Sequence, residues 1–137
     1  MTFFPFPRDN PYNNLIIDGY SGEHEANKND ADVKAIYIQN KNTKYIPTNL
    51  GSLFNLTVLN MYDTQLVEIK TKDFHGMQNL ESISLNNNEL SSVPLDAFVT
   101  LTKLRYIDLD SNQIEELPNG IFKNNLELER INLNNNR

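Results

Sequence analysis

The sequence predicts an α/β solenoid, with a parallel β-sheet lining its concave side and a mostly irregular or short-helical convex side. Three observations carry that prediction. Apolar residues recur with a fixed period, since Leu56, Leu80, Leu104 and Leu128 stand 24 residues apart, and a fixed period of this length is the mark of a repeat architecture. Each start leads into a short in-and-out alternation, as in "LESISLNNNEL", where Ile83 and Leu85 are separated by Ser82, Ser84 and Asn86. That alternation is the period of a strand with one face buried. After the strand each unit carries a polar bend residue and then a return segment of apolar residues, which brings the chain back to place the next strand beside the last.

Taken in order, residues 1–32 stand apart from the rest. They open with aromatic and proline residues and continue into a hydrophilic stretch. The open end of a repeat stack must be covered, and terminal units are atypical for this reason. The segment therefore reads as an N-terminal cap, with Leu15 to Ile17 as a strand, Phe3, Phe4 and Phe6 as lids, and 22–30 as a loop. Repeat units start at 33, 56, 80, 104 and 128, the first being one residue short and the last incomplete at Arg137. Apolar positions follow at Ile36, Leu59, Ile83, Ile107 and Ile131 and, two further on, at Ile38, Met61, Leu85, Leu109 and Leu133.

The bend positions hold Thr64, Asn88, Asn112 and Asn136. A chain that turns inward once per unit strands buried backbone N–H and C=O groups. An asparagine amide carries both a donor and an acceptor, so Asn88, Asn112 and Asn136 read as a structural ladder bridging successive bends, with Thr64 able to serve in part. The return walls carry Pro47, Pro94 and Pro118, and then Phe74, Phe98 and Phe122 at the same 24-residue spacing, which predicts a stack of rings under the outer wall.

These residues resemble a leucine-rich repeat protein. The 24-residue unit with a proline after the last inner apolar residue and a later phenylalanine is similar to the animal extracellular type, as in Toll-like receptor ectodomains, small matrix proteoglycans and insect leucine-rich immune proteins. The resemblance covers residues 33–137. It departs from that type in having no capping cysteines and in stopping within a repeat. It implies a non-enzymatic, receptor-like module that binds a partner protein through its concave face and adjoining loops, secreted or extracellular, with innate immunity or adhesion as its setting. The alternative is a cytoplasmic or structural scaffold with no dedicated ligand, which the absence of cysteine and of a signal sequence favours. The edge left by the unfinished last unit predicts either a longer natural chain or self-association through the open C-terminal end.

Composition narrows the partners. A net charge of −6 with interspersed signs disfavours nucleic acid and anionic membrane surfaces. Without cysteine there is no thiolate nucleophile or thiolate metal site, and no apolar run reaches the length of a membrane span. His24 and His75 are far apart, and "DLDSN" at 108–112 imitates a calcium loop but holds Gln113 where glycine is required. No cofactor or metal site is expected. Asn55 begins the acceptor triplet "NLT" and is a glycosylation site if the chain is secreted. The remaining candidates are the outward strand residues. Tyr37, Tyr62, Tyr106, Asp108, Asp110 and Arg130 form the expected ligand-binding set, since tyrosine and arginine dominate binding hot spots.

Overall fold

The computed structural model describes residues 4–5, 19–22, 33–39, 42–47, 50 and 53–137. Seven strands form one sheet in chain order: β1 (Phe4–Pro5), β2 (Gly19–Gly22), β3 (Val33–Gln39), β4 (Val58–Tyr62), β5 (Ser82–Ser84), β6 (Tyr106–Asp108) and β7 (Arg130–Asn132). From β3 onward every pairing is parallel. Leu59 lies beside Ile83, Ile83 beside Ile107 and Ile107 beside Ile131, so each step of 24 residues returns the chain to the same register. Between β3 and β4 the step is 23, with Ile36 beside Leu59, which matches the short first unit.

The N-terminal edge is built differently. β2 runs antiparallel to β3, with Tyr20 opposite Ile36, and β1 runs antiparallel to β2. Gly22 ends β2 rather than opening a loop. The strand expected at Leu15 to Ile17, the loop from residue 23 to 30 and the side chains of Phe3, Phe4 and Phe6 lie outside the described residues.

The core runs as a column behind the sheet. Leu56, Leu59, Met61, Leu66, Leu80, Leu85, Leu90, Leu104 and Leu109 are all fully buried. Their alternation with outward residues in β4, buried at Leu59 and Met61 and half-buried at Val58, Asn60 and Tyr62, is what the strand period requires. On the return side, Phe74 stacks on Phe98 with ring centroids 5.7 Å apart, and Phe98 on Phe122 at 5.8 Å. Turns build these walls, and no α-helix forms among the described residues.

The bends are held by side-chain amides. Asn88 Oδ1 accepts from Thr64 N, Thr64 Oγ1 and Leu66 N at 2.9–3.0 Å, all in the preceding unit. Its Nδ2 donates to Met61 O and Leu85 O. Asn112 repeats this with Leu90 N, Leu85 O and Leu109 O, and Asn136 with Ile114 N, Leu109 O and Leu133 O. Thr64 has no amide to donate. Its bend differs accordingly, with both Asp63 and Gln65 at positive φ, where the later bends have only Asn87, Ser111 and Asn135.

Candidate functional site

Strand alternation leaves one set of side chains facing the concave side, and the parallel register lines them up across strands. Ala35, Val58, Ser82, Tyr106 and Arg130 are successive neighbours in one row, and Tyr37, Asn60, Ser84, Asp108 and Asn132 in the next. Gln39 pairs with Tyr62 in a third row, which Asn86, Asp110 and Asn134 extend beyond the strand ends by sequence position. The register places Tyr106 and Arg130 side by side, with Asp108 two residues along. Tyr37 and Tyr62 lie away from them, separated by intervening strands spaced about 4.8 Å.

At the C-terminal end of the sheet the charged groups organise around Tyr106. The Arg105 guanidinium lies 5.5 Å and that of Arg130 5.9 Å from its ring centroid, within cation–π range. Arg105 also donates from Nε and Nη2 to Glu129 Oε1 at 3.1 and 2.8 Å. The hydrogen bond from Arg105, followed by one from Tyr106, holds the Glu129 carboxyl below its usual range, and the same pairing raises Arg105. Both groups are exposed to solvent, so the pair serves orientation more than stability. Arg105 thus takes up Glu129, while Arg130 presents its guanidinium beside the exposed Tyr106 ring.

Past the strand ends the surface turns acidic and amide-rich. Asp108 Oδ1 accepts from Asp110 N at 2.9 Å, while Asp110 accepts from Asn135 Nδ2 at 3.0 Å and from Ser111 Oγ at 3.1 Å. The bonds to Asp110 N and from Ser111 are local, whereas the one from Asn135 ties the last unit to the one before it, at an edge where Ser111 and Asn135 adopt positive φ. Among the described residues, no group of three or more His, Cys, Asp or Glu side chains is placed to hold a metal ion. Tyr62 accepts from Asn87 Nδ2 at 3.2 Å, which fixes its hydroxyl near the same edge.

Arg105 and Glu129 were not among the candidates that sequence reasoning singled out, although a signal was available. They stand one period apart with opposite charge, in the row of Thr57 and Glu81 that precedes the outward strand positions. His75 is exposed on the outer wall, and His24 lies outside the described residues. Asn55 is half-buried on the flank before β4, where Asn79 Nδ2 reaches its Oδ1 at 3.5 Å and Phe54 O at 2.8 Å, and Lys103 Nζ donates to Asn79 Oδ1. Among the described residues no helix is long and apolar enough to cross a membrane.

Comparison with known proteins agrees with this geometry. Residues 54–114 match the family model described as leucine rich repeat. No curated protein sequence matches the chain. Among solved structures, the APL1 leucine-rich repeat domain is 27% identical with a TM-score of 0.72, over 76% of this chain and 28% of that one. Toll, in the Toll–Spatzle complex described as a molecular hub in Drosophila development and innate immunity, is 29% identical with a TM-score of 0.72, over 77% of this chain and 14% of that one. The chain thus spans less than a third of the length of either of these structures.

Proposed function

We propose that the chain, which resembles leucine-rich repeats of the animal extracellular type, recognises a partner protein through its concave sheet and the adjoining loops, without catalysis. The observation that carries this reading is the exposed Tyr106 ring flanked by two guanidiniums, with Asp108 in the next row. Aromatic and arginine side chains of this kind are the usual anchors of protein interfaces. Arg130 on one side and Asp108 and Asp110 on the other give the face a charge direction, which orients a partner more than it tightens the complex. Tyr37 and Tyr62 extend the same surface toward the N-terminal strands.

The size of the sheet sets how such a partner sits. Five parallel strands spaced about 4.8 Å, with a rise of about 3.3 Å per residue and only three residues in each of β5, β6 and β7, offer on the order of 300 Å². That is less than half of what one partner buries in a standard interface, about 800 Å². The flanking loops therefore share the contact. The Toll–Spatzle complex supports a protein ligand and an innate-immune setting by likeness, and an extracellular location goes with that reading.

The experiment is a pull-down with chemical cross-linking, followed by replacement of Tyr106, Asp108 and Arg130 together. These side chains face away from the core, so the variant is expected to keep its thermal stability and lose the partner. Undiminished capture by the triple variant would move the contact to the loops or the convex wall and refute the concave-face assignment.

A further inference from the structure

Asn119 is the only asparagine in the chain that is followed by a glycine. It stands on the outer wall of the fourth unit, in a turn closed by Ile121 N donating to Pro118 O at 3.2 Å. Gly120 takes the third position of that turn at φ +81°, a conformation that favours glycine and strains other residues. Both residues are exposed, and nothing lies within 4 Å of the point where a Cβ on Gly120 would stand. The hydrogen-bond pattern singles the pair out further. Among the described residues, the Gly120 amide N–H donates to no acceptor and the Asn119 carboxamide has no partner. The bend asparagines are the opposite case, with Asn88 and Asn112 each nine-tenths buried and bonded through both ends of the amide.

From this geometry we infer that Asn119 is a site of spontaneous covalent modification, in which the Gly120 backbone nitrogen displaces the side-chain amide. The nitrogen attacks Asn119 Cγ, a C–N bond closes a five-membered succinimide, the bond from Cγ to the amide nitrogen breaks, and ammonia leaves with the proton given up by Gly120. Water then opens the ring at either carbonyl. Opening at one side yields aspartate, and at the other isoaspartate, whose backbone is longer by one methylene. Either product adds a negative charge to a wall that already carries Glu115 and Glu116. Isoaspartate also lengthens the turn that leads from Pro118 into the buried Ile121. The nucleophile is the deprotonated amide, so the rate rises with pH.

The test is to incubate the folded chain in mildly alkaline buffer, with a urea-unfolded sample and an Asn119→Gln variant alongside. Peptide mapping then follows each asparagine, and circular dichroism verifies the fold. Asn119 is expected to be the first to lose its amide, at a rate within a few-fold of that in urea, giving both aspartate and isoaspartate. The whole-chain mass gain is expected to fall away in Asn119→Gln. If another asparagine converts first, if Asn119 keeps its amide while the chain is folded and loses it only in urea, or if Asn119→Gln gains mass at the parent rate, the inference is overturned.

Discussion

Asn112 shows why a single side chain can govern a bend. Its oxygen accepts from Leu90 N, and its amide donates to Leu85 O and Leu109 O, so it serves buried backbone of two units at once. Asn112→Ala leaves those groups without partners and is expected to cost about 1–3 kcal/mol, read as a lower melting temperature. An unchanged melting temperature would contradict the bridging role. Asp73 makes a different point. Burial raises its pKa above the ordinary aspartate value, although Lys70 N donates to its carboxylate at 2.7 Å. A raised folded-state pKa means that the stability this group contributes is present at low pH and lost as pH rises through the folded value. Urea titrations across mildly acidic pH should therefore show the parent losing stability relative to Asp73→Asn as pH rises, and parallel curves would refute the assignment. Glu129 works in the other sense: its lowered pKa contributes stability above the ordinary glutamate value and loses it as pH falls.

At the scale of the element, each unit is a strand and a return wall that hold one another in place. The strand alone is three residues in β5, β6 and β7, too short to persist without neighbours on the sheet and a packed back. The phenylalanine column supplies part of that back. Phe98 is fully buried between Phe74 and Phe122, so Phe98→Ala opens a cavity in the middle of the column and should cost about 3–5 kcal/mol. Denaturant unfolding would measure it, and a cost like that of a surface substitution would show the walls to be independent. Where the second unit has Lys70 in place of the proline of its neighbours, the side chain lies over the Tyr45 ring, 4.5 Å from Nζ to centroid. An external contact there takes the place of the ring that stiffens Pro47, Pro94 and Pro118.

For the whole molecule, stacking in a constant direction gives one curved sheet with an inner face and two flanks. On the proposed reading, a partner seated on the inner face would meet Tyr106 and Arg130 at one end and Tyr37 and Tyr62 at the other. The flank before the strands carries Asn55, half-buried, and Asn79 and Lys103 one and two periods on. Protein taken from its native source is expected to carry a glycan on Asn55 if the chain is secreted, and peptide mass spectrometry reads this directly. A bare Asn55 in secreted material would remove the acceptor reading and leave that flank open for contact.

The repeat could be read from the sequence because the solenoid is nearly one-dimensional. A 24-residue step in the chain is one step across the sheet, so the recurrence of a residue type at one position of the period determined the strands, the facing rows, the asparagine bends and the phenylalanine column. Ile83, Asn112 and Phe98 each answer to a position in the period, and their neighbours answer to the same position one unit away. The antiparallel pairing of β2 on β3 follows no such rule, because residues 19–22 share no period with the rest. The direction of their pairing depends on how an exposed sheet edge is covered in three dimensions. Tertiary structure also decided that Arg105 engages Glu129 and lies near Tyr106 while Arg130 has the ring's other neighbourhood. Long charged side chains can reach several partners from one backbone position, and only the distances between them in the folded chain select which contact is made.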